Sequence, residues 1–396
     1  MIVNDELLDS ALPTSQYRPE IQGLRALAVV LVILSHAQVP GFEGGYVGVD
    51  VFFVISGYVI TTLLLRQPHR RVVHNLGNFY ARRVRRIVPA ATVVLVSTVV
   101  VAHWLLGSYF DSNLLSDTRW ASFFSENFRL INTNSSYFIQ GTPPPLVTHF
   151  WSLAVEEQFY LFFPLVVFAL TWVTTARTHR RALASVVVVG IIASSWWSIH
   201  LSPFAVNQVA AYYSPFTRFW ELGLGALVAL APKAWSERTA LVNPLLAGLG
   251  LIVILATSLR LNTLSEYPGS LAWFPCAATV ALLWSGHTAA AKYPMKVLTT
   301  RPARFVGDIS YSLYLFHFAW LQIPLQMVNP INSWWARCLE IAGASLCATV
   351  SYYLIENPIR HSKRLDRDPW AVALVLAICL ILSWNASWLV GRWVHV

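Results

Sequence analysis

Charge is what this chain has least of. Only 12% of its 396 residues are Asp, Glu, Lys or Arg, against 56% hydrophobic residues, a balance far outside that of a soluble globular domain. Cysteine is scarce too. Cys276, Cys338, Cys347 and Cys379 have no CxxC spacing and all fall in apolar stretches, so they read as small buried hydrophobes, which argues against a disulfide framework or a thiolate metal site. There is no internal repeat and no low-complexity tract. Residues 1–20 carry Asp5, Glu6 and Asp9 rather than the basic start and apolar core of a secretory signal, and residues 1–16 read as a disordered cytoplasmic tail. Basic residues exceed acidic ones, for a formal charge of +9, but they are spread over alternate short loops and form no aromatic-lined patch, which excludes a nucleic-acid partner.

What the chain does have is apolar runs long enough to cross a bilayer. They lie at about 21–38, 46–65, 87–106, 151–173, 182–200, 216–232, 239–258, 270–286, 305–327, 334–354 and 370–390. The expected fold is an all-α integral membrane protein, a bundle of ten core transmembrane helices plus an eleventh. Twenty-one of the 28 basic residues fall on one side if the N-terminus is cytoplasmic, so the positive-inside rule sets that orientation. The long connection at about 107–150 is then extracytoplasmic. Its Trp120, Phe123, Phe124, Phe128 and Tyr137 among polar residues predict short interfacial helices forming one wall of an acceptor site.

Ionisable groups at membrane depth are expensive and tend to be functional. Arg25 and His36 are eleven residues apart, about three helical turns, which puts them on one helix face about 16 Å apart along the axis. Asp50 follows Gly44, Gly45 and Gly48 and is expected near His36, either orienting the imidazole or serving as a structural cap. Arg218 and Glu221, three apart, are expected to neutralise each other.

Five strings stand out: Tyr17-Arg18-Pro19-Glu20 running on to Arg25 with His36 eleven residues later, Gly44-Gly45-Tyr46-Val47-Gly48-Val49-Asp50, Phe79-Tyr80-Ala81-Arg82-Arg83-Val84-Arg85-Arg86, His149-Phe150-Trp151-Ser152 running on to Glu156-Glu157, and Ile309-Ser310-Tyr311-Ser312-Leu313-Tyr314-Leu315-Phe316-His317. Together they resemble the acyltransferase family 3 of membrane proteins. The resemblance covers about 17–360. It implies an enzyme of the bacterial cytoplasmic membrane that moves an acyl group from cytoplasmic acyl-CoA, with acetyl-CoA the expected donor, to a hydroxyl of an envelope glycan or glycolipid.

Such a reaction needs a base, oxyanion donors and a cationic site for the CoA phosphates. His36 is the candidate base or acyl-accepting nucleophile. Arg25 is placed at the donor's phosphate or pantetheine portion. The resemblance carries the paired arginines over to Arg83 and Arg86, with Arg82 and Arg85 as helpers. Of Glu156 and Glu157, one is expected to face the interior and charge-balance or orient His36 while the other caps its helix. His149, Trp151, Tyr311, Tyr314 and His317 are candidate substrate contacts, and no metal is required. Residues 361–396 read as a linker and the eleventh helix, which in related two-part proteins leads to an extracytoplasmic SGNH hydrolase-like domain, fused or separate. A transporter of an organic anion or lipid-linked sugar is the alternative from another class.

Overall fold

A computed structural model of the chain describes residues 18–66, 72–107, 113–137, 144–175, 178–203, 208–288, 291, 293–327 and 333–393. The tail at 1–16 lies outside them. The described residues are predominantly helical, with no strand among them. Among the described residues eight helices are long and apolar enough to cross a membrane, as expected of a multi-pass membrane protein. In three further stretches where a span is expected the helix is shorter: Pro215–Leu230, Trp273–Ser285, and the expected 305–327, which divides into Arg301–Asp308 and Ser310–Gln322.

Helix α1 (Pro19–His36) opens on Pro19, whose fixed φ suits a first helical turn, and stops at His36, where Gln38 and Gly41 turn the chain with positive φ. A short turn leads into α2 (Gly48–Leu65), antiparallel to α1 and buried along most of its length. Helix α3 (Val72–Leu106) begins well before the expected position 87, because Ala and Arg are good helix formers and extend the apolar span. The arginine cluster is therefore helical. Arg83 and Arg86 share one face, and Arg85 is turned about 100° from Arg86.

The connection after α3 holds two short helices, α4 (Asn113–Ser122) and α5 (Glu126–Asn132). They are followed by α6 (Phe150–Val173), α7 (His179–Leu201), α8 (Gln208–Tyr213) and α9 (Pro215–Leu230). Helix α9 meets α2 at backbone distance. A Cβ on Gly57 would come 1.8 Å from the Leu222 carbonyl oxygen, and one on Gly225 1.8 Å from that of Val54, so only glycine permits the approach. That contact brings Arg218 to Asp50.

Helices α10 (Asn243–Arg260) and α11 (Trp273–Ser285) pack as a pair, and α12 (Arg301–Asp308) lies against α1. The next helix, α13 (Ser310–Gln322), contacts α1, α3 and α14 (Trp334–Ser351). After α14 the chain widens into a π-helical turn at Tyr352–Glu356, which points Glu356 inward to accept from Ser312 Oγ at 2.7 Å. The last helix, α15 (Pro369–Trp393), packs along α3 and α4, and Arg119 lies 4.9 Å above the Trp384 ring.

Candidate active site

The end of α1 and the middle of α13 bring two histidines together. His36 Nδ1 lies 2.8 Å from His317 Nε2, and His317 Nδ1 lies 2.6 Å from the Tyr314 carbonyl oxygen. A carbonyl only accepts, so His317 Nδ1 carries the proton and, in the neutral ring, its Nε2 is bare. His36 Nδ1 must then donate, which leaves His36 Nε2 as the accepting nitrogen. That nitrogen faces the Tyr137 hydroxyl in a short hydrogen bond. The Tyr137 ring stacks on Tyr212 at 4.7 Å, and the Phe318 ring closes the edge of His36 at 4.9 Å.

A cavity of about 100 Å³ approaches this pair from the arginine side. Its wall follows α2 from Val49 to Val59, about 15 Å of helix. Arg25, Arg83 and Arg86 line it together with Glu156 and Glu157, while Ser152 and Tyr314 also contribute to its wall. Ser152 Oγ and the Tyr314 hydroxyl are 2.6 Å apart, and the carbonyl of the same Tyr314 holds His317. The cavity therefore borders the histidine pair through one residue. Arg25 donates to Gln22 Oε1 at 3.0 Å, and Arg83 lies 4.3 Å above the Tyr160 ring.

The structure brings together nine of the expected residues: Arg25, Arg83, Arg86, Glu156, Glu157, Tyr311 and Tyr314 line the cavity, and His36 and His317 lie beyond Tyr314. Tyr311 donates to the Ile87 carbonyl at 2.8 Å. Glu156 accepts from Ser56 Oγ at 2.5 Å and from the Tyr160 hydroxyl. Neither glutamate has a hydrogen bond to His36. Neither caps a helix, because α6 starts at Phe150, six residues before Glu156.

Other expected residues fall elsewhere. Asp50 does not orient His36: it accepts from Arg218 Nη1 at 3.1 Å, and the same nitrogen reaches Glu221 Oε1 at 2.8 Å, as expected for the Arg218 and Glu221 pair. Asp50, Glu221 and Cys276 lie close enough to hold a metal ion, but the guanidinium already engages both carboxylates. Trp151, 1% exposed, packs 5.4 Å from the Arg218 guanidinium and against Tyr212 and Tyr213. Arg85 pairs with Asp366 at 2.8 Å and also donates to the Ser362 carbonyl, and Arg82 is exposed outside the cavity. His149 Nε2 donates to the Leu315 carbonyl at 3.0 Å, leaving its buried Nδ1 without a partner among the described residues.

Sequence reasoning counted Tyr137 only as one aromatic in the outer loop, and it gave Ser56, Tyr160 and Tyr212 no role. The signal available for the histidine pair was a second histidine, His317, deep in an apolar run.

An acyltransferase domain model matches residues 18–384. A peptidoglycan O-acetyltransferase OatA of Listeria monocytogenes is 33% identical over 362 residues, covering 88% of this chain and 56% of the relative. An O-acetyltransferase OatA of Staphylococcus aureus is 29% identical over 363 residues, covering 87% of this chain and 57% of the relative. The chain thus spans little more than half the length of these relatives. No solved structure is a significant match. With the arginine motif lining a cavity that borders the histidine pair through Tyr314 and the family model spanning nearly the whole chain, the protein belongs to the acyltransferase family 3 of membrane proteins.

Proposed function

We propose that this chain is the membrane part of an O-acetyltransferase of the bacterial cytoplasmic membrane, with its N-terminus in the cytoplasm. It takes an acyl group, acetyl in the simplest case, from cytoplasmic acyl-CoA and passes it to a hydroxyl of an envelope glycan or glycolipid. The observation that carries this reading is the hydrogen-bond chain from the Tyr314 carbonyl through His317 to His36, which aims a bare ring nitrogen at a hydroxyl.

In this reading Arg83 and Arg86 hold the CoA phosphates, Arg25 the adjoining part of the donor, and the pantetheine arm follows α2 toward Ser152 and Tyr314. His36 Nε2 takes the proton from the attacking hydroxyl, whose place the Tyr137 hydroxyl marks. The hydroxyl oxygen bonds to the thioester carbonyl carbon and the C–S bond breaks. The CoA sulfur leaves as a thiolate and takes the proton back from the His36 imidazolium, which restores the base, so no metal or redox partner enters the balance. A ring nitrogen facing a hydroxyl favours His36 as base over His36 as the acyl-accepting nucleophile. His317 fixes the tautomer, Glu156 and Glu157 offset the three arginines, and His149 Nδ1 offers an acceptor for a substrate hydroxyl. The names of the relatives make peptidoglycan the first acceptor to test. An extracytoplasmic SGNH-like domain, fused or separate, would complete delivery.

Purified protein in proteoliposomes, supplied with labelled acetyl-CoA and peptidoglycan fragments, tests the reading. Free CoA thiol should appear in step with labelled acetyl ester on the glycan. Movement of intact solute with no thioester cleavage would instead establish the transporter alternative.

A further inference from the structure

Six hydroxyls line the cavity between the arginines and the histidine pair, those of Ser56, Ser152, Tyr160, Ser310, Tyr311 and Tyr314. Three are committed elsewhere. Ser56 and Tyr160 donate to Glu156, and Tyr311 donates to the Ile87 carbonyl. Ser310 opens α13, about two turns before His317. The remaining two, Ser152 and Tyr314, meet where the cavity borders the histidines, with the Tyr314 ring 5.3 Å from that of His317.

Both side chains are buried, and their hydroxyls form a triangle with the His149 carbonyl. Ser152 Oγ lies 2.6 Å from the Tyr314 oxygen, and the His149 oxygen lies 3.3 Å from Ser152 Oγ and 3.2 Å from the Tyr314 oxygen. Two protons serve three contacts, so one contact is always without a proton. When Ser152 donates across the short side, the Tyr314 proton rests on the longer bond to His149. A stronger acceptor in the cavity can draw that proton away while Ser152 goes on donating, and a hydroxyl that accepts a hydrogen bond is the better donor for it. The Tyr314 oxygen is also felt at Tyr137. Burial raises the Tyr137 hydroxyl above its ordinary value, and Tyr314 is the next cause of the rise. Tyr314 therefore borders the donor cavity and lies within electrostatic reach of the hydroxyl that faces His36 Nε2.

A thioester carbonyl oxygen gains charge when its carbon is attacked, and a donor aimed at it is among the largest single contributions to acyl transfer. In the reaction proposed above, His36 serves as base and the arginines hold phosphates, and neither reaches that oxygen. We infer that the Tyr314 hydroxyl is the oxyanion donor of this site and that Ser152 positions it, an inference that rests on the acyl-transfer reading. As the acceptor oxygen bonds to the carbonyl carbon, the C=O π pair moves onto oxygen and Tyr314 turns its hydrogen bond from His149 to that oxygen. When the C=O bond reforms and the C–S bond breaks, the hydrogen bond returns to His149. Tyr314 keeps its proton throughout.

The test reads the bound carbonyl directly. A dethia analogue of acetyl-CoA, with a methylene in place of the thioester sulfur, presents an unreactive ketone whose carbon-13-labelled stretch is followed by infrared difference spectroscopy on the purified full chain. The stretch should lie at lower frequency in the wild type than in Tyr314→Phe, which keeps the ring and the main-chain carbonyl that holds His317. The same variant should lower kcat with acetyl-CoA by about 10²–10³-fold at unchanged affinity for the analogue. Ser152→Ala should place the band between the two and lose about tenfold in kcat. An identical stretch in wild type and Tyr314→Phe would overturn the inference even if turnover fell, because a packing role leaves the carbonyl untouched. Turnover of Tyr314→Phe near that of wild type would overturn it as well. If Tyr314→Phe does not fold, Ser152→Ala decides, and a band unmoved from the wild type overturns the inference. Analogue bound to an active wild type with an unmoved carbonyl in the variants sinks the oxyanion donor alone, whereas failure of the wild type to bind the analogue or cleave acetyl-CoA sinks the acyl-transfer reading and the inference with it.

Discussion

His36 Nδ1 lies 2.8 Å from His317 Nε2, across 281 residues of sequence. The contact does more than bury two rings. The Tyr314 carbonyl fixes the proton on His317 Nδ1, and His317 in turn fixes it on His36 Nδ1, so the accepting nitrogen of His36 is chosen by a main-chain oxygen on α13.

In the proposed reaction His317 is accordingly a positioning residue with a kinetic signature. His317→Ala should lower kcat by about 10²-fold, within the range for a general base in the wrong tautomer, and leave the affinity for acyl-CoA unchanged. His317→Asn or Gln, able to accept from His36, should recover part of that loss. Stopped turnover assays with parallel CoA binding check both. Equal loss in every variant, accompanied by weakened CoA binding, would reduce the contact to packing.

The arginines divide by face. Arg83→Ala and Arg86→Ala should each weaken acyl-CoA binding in calorimetry, with a smaller effect at raised salt because screening already weakens the contact in the wild type. Arg82→Ala should leave binding unchanged. Arg85→Ala should do the same and cost about 1 kcal/mol of stability or less, since its partner Asp366 is 66% exposed.

Asp50 and Arg218 form part of a buried ion cluster in which both members of the pair are 1% exposed. Arg218→Met would strand two carboxylates and should destabilise the protein by about 3–5 kcal/mol, read as a lower thermal midpoint in detergent. Asp50→Asn should cost less, because Glu221 still pairs with Arg218. A loss of turnover in Asp50→Asn at unchanged stability would return Asp50 to a role at His36.

Glu126, in the connection between α3 and α6, provides a pH test. Burial raises its carboxyl well above the ordinary value, Asp117 nearby adds to the rise, and Arg129 opposes it. Because the folded value exceeds the unfolded one of about 4.3, the contribution to stability is full below the unfolded value and is lost as pH rises through the folded one. Wild-type thermal midpoints should therefore fall toward alkaline pH more than those of Glu126→Gln, which keeps a neutral side chain throughout. Parallel pH profiles for the two proteins would contradict this.

The sequence made the membrane class legible because composition and apolar runs are one-dimensional signals. Arg25 and His36 were legible for the same reason: their spacing within one helix sets their shared face. Partnerships between helices were not. Asp50 was expected near His36 from its place at the start of α2, but the glycine contacts at Gly57 and Gly225 bring α9 close enough to give it to Arg218. The divided helix at 301–322 and the early start of α3 also escaped hydropathy, because polar residues extend or interrupt a helix without changing the apolar average.

The most direct measurement is the turnover of His36→Ala with acetyl-CoA, set beside its CoA affinity and thermal midpoint. The account predicts a loss of about 10²–10⁴-fold in acetyl transfer with binding and stability held. Retention of more than about a tenth of wild-type turnover would contradict a base at this position.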